Sequence, residues 1–186
     1  MPKRTVDLTV GDYYHIYNRA VSGNQLFREE HNYWFFISKI KKYLLDSVAI
    51  LAYCLMPTHY HFLVKLKKLS LPTAMQRMAM SYSASYNKIY MRSGHLFQGR
   101  YQLRFIGTLP YLVQAANYIH INPWSAGLVR SPDDWQMSSY LEYIGKRQVD
   151  FIDYSIVLDE FGSGKDPFYT ENMMNYRKYV EDNLIG

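Results

Sequence analysis

The stretch VAILAYCLMPTHYHFLVKL, Val48 to Leu66, decides how this chain is read. Val48 to Met56 is a short continuous apolar run, the pattern of a strand covered on both faces, and it reads as a central strand. Pro57-Thr58 then turns the chain. From His59 to Leu66 the residues alternate, so Tyr60, Phe62, Val64 and Leu66 share one face while His59 and His61 share the other. The two runs make a hairpin whose second arm shows two imidazoles opposite its apolar set.

The flanking segments extend this hairpin into a fold. Upstream, Tyr13 to Ala20 (YYHIYNRA) is rich in aromatic and β-branched residues and ends near the turn cluster Ser22-Gly23-Asn24. Glu29 to Leu45 places Tyr33, Phe36, Ile37, Ile40 and Leu44 at helical spacing. Downstream, Ser70 stands at an N-cap position with Pro72 in the first turn, and Leu71, Met75, Met78, Tyr82, Tyr86 and Ile89 form one stripe. Tyr101 to Ile106 reads as a fourth strand, Gly107-Thr108 as a turn and cap, and Leu109 to Ile121 as a third helix stopped by Pro123. The order β-α-β-β-α-β followed by a helix predicts an α+β fold, a ferredoxin-like split β-α-β antiparallel sheet with its covering helices on one face. After Ser131-Pro132 the composition turns acidic, with helical candidates near Ser138 to Ile144, Tyr154 to Phe161 and Thr170 to Leu184. The expectation is a main domain over residues 1–131 and a small helical C-terminal appendage over residues 132–186.

Composition bounds the class. The chain has 186 residues, 48% hydrophobic and 20% charged, which suits one ordinary soluble domain and excludes disorder and low complexity. The apolar stretch Ser47 to Val64 is interrupted by Pro57, Thr58, His59 and His61, so it does not supply the roughly 20 apolar residues of a membrane span. The first residues are followed by no apolar signal core, and the single cysteine, Cys54, has no internal partner, so a reducing cytoplasm is expected. Cys54 itself reads as a small core residue.

Charge is distributed unevenly along the chain. The net charge of +5 hides an acid-free segment, Ser47 to Ser131, that carries nine bases, whereas residues 132–186 hold eleven acids against five bases. Bases interleaved with tyrosines suit a polyanion, since cations neutralise phosphates and rings offer stacking platforms. A solvated basic face would account for the same composition.

Two constellations carry candidate chemistry. Adjacent imidazoles at His59 and His61 suit a divalent metal, although a bare H-x-H pair also occurs on ordinary half-exposed strands. Tyr118 and Asn122, four residues apart, share a helical stripe with Tyr111 and Ala115, while His120 points away. An amide oxygen at Asn122 would complete a metal site with the two imidazoles, and Tyr118, one turn earlier, would reach the same spot as a nucleophile. Taken alone, these two read more readily as a tyrosine packed on the sheet and an asparagine at a helix end. Arg100, Arg104, Lys65, Lys67 and Lys68 are candidate contacts to a polyanion, with ordinary solvation of a hairpin end as the competing account. His95 is a loop residue that would approach a substrate or satisfy a local hydrogen bond, and His15 and His31 are assigned to structure or surface.

Three motifs, MPTHYHF at Met56 to Phe62, GHLFQGRY at Gly94 to Tyr101 and NYIHINPWSAGLV at Asn117 to Val129, occur in an order that resembles the single-tyrosine HUH transposases, particularly the REP-associated tyrosine transposases. The resemblance runs from about Tyr13 to Val129 and continues faintly through Trp135 to Gly145. It places His59 and His61 on the paired metal ligands, Asn122 on the third ligand and Tyr118 on the catalytic tyrosine, with Tyr60 in the bulky middle position. It also implies a ferredoxin-like fold.

The activity implied is cleavage and rejoining of single-stranded DNA beside a hairpin, of the REP or insertion-sequence-end kind, through a 5′-phosphotyrosine, with Mg²⁺ or Mn²⁺ as cofactor. A phenol with an ordinary pKa of about 10 is a weak nucleophile at neutral pH, so such a site must stabilise developing charge and orient the attack. Neutral ligands would leave the ion's full charge for the scissile phosphate. The expected protein is a nucleoid-associated monomer or homodimer with no membrane partner. The competing readings are a domesticated single-strand DNA or RNA hairpin-binding protein that no longer cuts, and an RRM-like RNA-binding module, whose aromatic signature the strands lack.

Overall fold

The computed structural model describes residues 7–162 and 169–184. Strands β1 (Tyr13–Arg19), β2 (Val48–Met56), β3 (His59–Leu66) and β4 (Gln102–Ile106) form one antiparallel sheet in the order β2-β3-β1-β4. Helix α1 (Glu30–Tyr43) joins β1 to β2, and α2 (Leu71–Ile89) joins β3 to β4. This is the ferredoxin-like split β-α-β arrangement expected from the hairpin and its flanks.

Strand alternation sorts side chains onto two faces. Tyr14, Ile16, Tyr60, Phe62 and Val64 pack with Phe36 and Ile40 of α1 and Met75, Met78 and Tyr82 of α2 in one core. Phe36 sits at its centre, with ring centroids 4.8 Å from Tyr82 and 5.2 Å from Phe27 and Tyr60. Truncating such a ring to alanine costs about 3–5 kcal/mol.

The opposite face is covered too, contrary to the one-faced expectation. Helix α3 (Leu109–Ser125) lays Leu112, Ala115, Ala116 and Ile119 against Cys54, Met56, Leu63 and Ile106. Thr108 caps it by accepting a hydrogen bond from the Tyr111 backbone N–H at 3.3 Å. Pro123 does not stop this helix, which runs on to Ser125. A proline removes a single N–H, and here it lies in the last turn, where Ala126 N–H donates to Asn122 O at 3.0 Å and Leu128 N–H to Pro123 O at 2.9 Å. Asn122 therefore stays helical and on the same stripe as Tyr118. Ser70 likewise departs from its expected role, its hydroxyl lying 2.8 Å from that of Ser47 instead of capping α2.

Strand β2 is an edge strand, not a central one. Its outer edge is closed by the C-terminal chain, where Leu55 N–H donates to Met137 O and Ser139 N–H to Tyr53 O, both at 2.9 Å, and Asp153 N–H donates to Ile50 O at 2.8 Å. The Tyr143 hydroxyl adds a bond to Leu51 O at 2.9 Å. A register shift between Ile50 and Ala52 lets Leu51 and Ala52 both join the α3-side core. Apolar cover on both faces produces the same unbroken run whether a strand is interior or sealed at its edge, so the sequence pattern did not separate the two cases.

The acidic C-terminal chain also completes the core. Short helices α4 (Tyr140–Tyr143) and α5 (Ser155–Leu158) and the longer α6 (Thr170–Leu184) contribute Tyr140, Tyr143, Val157, Leu158, Tyr176 and Val180 to the cluster that holds Leu63 and Ile119. Met137 and Phe151 join the other cluster. The change to acidic composition at residue 132 marks a change in surface charge, not a break in packing. Glu142, fully buried, is paired with Arg147, whose guanidinium also reaches Gln136 O and Ser138 O, each at 2.6 Å. Among the described residues, no helix is long and apolar enough to cross a membrane.

Candidate active site

The α3-side face of the sheet holds the histidines. His59 and His61 project from β3 with ring centroids 5.0 Å apart and planes at 86°. In the β1–β3 register Tyr17 lies directly across from His61 and Arg19 across from His59, and β4 places Arg104 across from His15. One sheet face thus gathers His15, Tyr17, Arg19, His59, His61 and Arg104, although they come from three separate strands.

His61 is buried, and its Nδ1 lies 2.9 Å from Nε2 of His15. Its Nε2 is buried with no hydrogen-bond partner among the described residues. Burial, reinforced by the neighbouring His15 and His59, pushes the His61 pKa down to about 3. Burial and then Arg104 bring His15 down to about 4. Burial also lowers His59, opposed by a hydrogen bond with the Asn122 side chain, with Arg19 lowering it further. All three imidazoles are therefore neutral near pH 7, the form that ligates metals.

Tyr118 projects from α3 over the same spot. The residue is 52% exposed, and its ring stands edge-on to His61 at 5.6 Å and 81°, and to His15 at 6.0 Å and 72°. One turn later, Asn122 donates from Nδ2 to the Tyr118 carbonyl at 3.0 Å while its side chain also meets His59. Tyr118 is thus half exposed beside a pair of neutral imidazoles and an amide. An open cleft of about 440 Å³ is lined by His15, Tyr17, His61, Arg104, Tyr111 and Tyr118, with Gln114 and Ala115 between them.

The residues singled out in the sequence divide accordingly. His59, His61, Tyr118 and Asn122 come together as one cluster. Arg104 lines the cleft, hydrogen-bonded to the Tyr111 side chain and close to the phenols of Tyr17 and Tyr118. Arg100 is exposed in the segment before β4. Lys65 lies four residues along β3 from His61, its ammonium 5.7 Å from the Tyr13 ring centroid. Lys67 and Lys68 follow the far end of β3, about 20 Å from His61 at roughly 3.3 Å per residue. There Lys67 donates to Leu45 O at 2.6 Å and Lys68 pairs with Asp46, so these two sit outside the cleft. His120 points away from the site, fully buried between Tyr176 Oη at 2.7 Å and Ser139 Oγ at 2.8 Å, and burial holds its pKa at about 3.

His15, assigned to structure or surface from the sequence, belongs to the site, as do Tyr17 and Arg19. The only signal available was that His15, Tyr17 and Arg19 alternate with Tyr14, Ile16 and Asn18, which shows a shared face but not which strand lies beside it. The GHLFQGRY motif proves to be a clasp on β1. Phe97 bridges Ala20, Gln98 N–H donates to Arg19 O at 2.9 Å, Asn18 Nδ2 donates to Gly99 O at 3.1 Å, and the Gln98 side chain accepts from Arg19 Nε.

Residues 10–122, from just before β1 to Asn122 on α3, match the model of the family described as IS200-like transposase. The chain belongs to the IS200-like transposase family. Among solved structures, the fold of this transposase-family chain is similar to that of a REP-associated tyrosine transposase bound to a REP hairpin, with a TM-score of 0.64 and 16% sequence identity. The similarity covers 84% of this chain and 96% of that one. No curated protein matches the chain.

The donor set of this family member suits a divalent ion. The ligand-competent atoms are the unpaired, buried His61 Nε2, the His59 imidazole and the Asn122 amide that meets it. Among the described residues no three of His, Cys, Asp or Glu cluster as a metal site, so a site here would draw its third donor from an amide. Two imidazoles and an amide oxygen accommodate Mn²⁺ more readily than Mg²⁺, which prefers oxygen throughout.

Proposed function

We propose that this chain is a divalent-metal-dependent transposase that cleaves and rejoins single-stranded DNA beside a hairpin, with Tyr118 as nucleophile. The observation that carries this reading is the juxtaposition of an exposed tyrosine with a buried imidazole whose Nε2 has no partner among the described residues. His59, His61 and Asn122 would hold Mn²⁺ or Mg²⁺, which when bound polarises the non-bridging oxygens of the scissile phosphate.

In the cleavage step Tyr118 Oη attacks phosphorus and loses its proton to solvent. A P–O bond forms to tyrosine, the P–O3′ bond breaks, and the leaving 3′ oxygen takes up a proton to become a free hydroxyl. The 5′-phosphotyrosine keeps a phosphate ester of similar energy, so a 3′-hydroxyl can reverse the reaction on a second strand without ATP. Arg104, beside Tyr17, Tyr111 and Tyr118, supplies positive charge where the phosphates enter. Tyr118, His59, His61 and Asn122 meet within one chain, which supports a tyrosine acting in cis in a monomer or homodimer, with residues 1–131 carrying the reaction and residues 132–186 completing their fold.

The test is incubation of labelled single-stranded hairpin DNA with the protein and Mn²⁺ or Mg²⁺, scored for an adduct that survives denaturant. The expected adduct disappears in excess chelator and in His61→Ala. It weakens less in Asn122→Ala, because water replaces an amide oxygen at such a site. Full adduct yield in chelator would overturn the metal assignment.

A further inference from the structure

We propose that His15 is a positioning residue for His61, accepting its Nδ1–H and so fixing the tautomer in which His61 Nε2 carries a bare lone pair. The inference rests on the reading of His59, His61 and Asn122 as an ion-binding set.

The geometry leaves little choice for the proton. His15 Nε2 and His61 Nδ1 are 2.9 Å apart, with ring centroids 5.1 Å apart and planes inclined by 30°, so one hydrogen lies between two nitrogens. If that hydrogen belonged to His15, the neutral His61 would carry its own on Nε2, a buried atom with no acceptor among the described residues. With the hydrogen on His61 Nδ1, every ring N–H of His61 has an acceptor and Nε2 is free to ligate. His15 then carries its proton on Nδ1. Metal-bound imidazoles commonly donate their second N–H to a carboxylate, a carbonyl or water, which sets ring orientation and tautomer. Here the acceptor is a second neutral imidazole, which orients His61 without adding the negative charge a carboxylate would bring. The contact depends on strand register, since Tyr17 takes the position directly across from His61 and His15 reaches it diagonally from beside Leu63.

The decisive experiment observes the rings without metal or DNA. In the metal-free protein with ¹⁵N-labelled histidine near neutral pH, long-range ¹H–¹⁵N correlation should show His61 protonated on Nδ1 and bare on Nε2. His15→Phe keeps a ring in place and removes the acceptor. His61 should then revert to the Nε2–H tautomer, and Mn²⁺ affinity should fall about 10–100-fold. His15→Gln, whose amide oxygen can accept the Nδ1–H, should restore the tautomer and most of the affinity. An Nε2–H tautomer for His61 in the unaltered protein, or an unchanged tautomer in His15→Phe, overturns the inference. If the tautomer is as expected but the unaltered protein binds no Mn²⁺, the metal site itself is wrong and His15 is a structural contact only.

Discussion

The Tyr118 ring stands edge-on to the His61 imidazole, 5.6 Å between centroids at 81°, and that contact brings the helix after the sheet onto the histidine face of β3. The ring packs on the imidazole while Tyr118 remains half exposed. Tyr118→Phe should therefore abolish the covalent adduct, a loss of several orders of magnitude in cleavage. DNA affinity should change by no more than about twofold, as for a surface substitution without packing loss. Tyr111→Phe, on the same stripe, should keep the adduct. An adduct in Tyr118→Phe, mapped by mass spectrometry, would assign the nucleophile to another tyrosine.

The positions of the basic residues separate two groups. Arg104 lines the cleft, whereas Lys67 and Lys68 lie beyond the far end of β3 and are tied to Leu45 O and Asp46. Arg104→Gln should weaken single-strand binding and flatten its salt dependence by about 0.7 in the log–log slope, one phosphate contact. Lys67→Gln and Lys68→Gln should leave that slope unchanged. Equal effects at all three positions would mean that DNA runs the length of the sheet.

Acid should destabilise the fold through its buried histidines. For His120 the folded-state pKa of about 3 lies below the ordinary value near 6.5, so between these values the unfolded chain binds the proton and the folded chain does not. Stability is full above pH 6.5 and falls as pH drops toward 3, with a slope of about 1.4 kcal/mol per pH unit for one such group. His120→Gln keeps a polar group between Tyr176 and Ser139 while removing this titration. Its denaturant-unfolding free energy should be lower at pH 7.5 but less steep by one proton between pH 6 and pH 4.5. Parallel pH profiles for the two proteins would show that His120 does not contribute.

Deleting residues 132–186 should prevent folding. The cut removes Tyr140, Tyr143, Val157, Leu158, Tyr176 and Val180 from the core and bares the outer edge of β2. At about 1.5–3 kcal/mol for a large buried apolar side chain, the loss matches the whole stability of an ordinary domain, about 5–15 kcal/mol. Loss of DNA binding in that truncate would say nothing about charge. The electrostatic effect of the acidic chain is better read from Glu160→Gln and Asp182→Asn, both at exposed positions. Each should raise DNA affinity slightly at low salt, and circular dichroism and thermal melting of the truncate should show no cooperative transition.

Local periodicity was enough for the six core elements and for two of the site's parts. The alternation at His59 and His61 and the four-residue step from Tyr118 to Asn122 are relations between near neighbours, and a strand or helix keeps them wherever it packs. Other features depended on which surfaces meet. His15 joined the site only through the β1–β3 register, which brings together residues 46 positions apart. The position of β2 at the sheet edge, and the C-terminal chain that seals it, follow from backbone pairing between Tyr53 or Leu55 and residues 137–139, which leaves no mark in an apolar run. Pro123 was tolerated because it falls in a last turn whose carbonyls are otherwise bonded, a fact about the helix end and not about proline. Sequence determined the faces that side chains share, because backbone geometry alone sets them. Tertiary structure decided which faces meet, because that depends on burying all of the apolar surface at once.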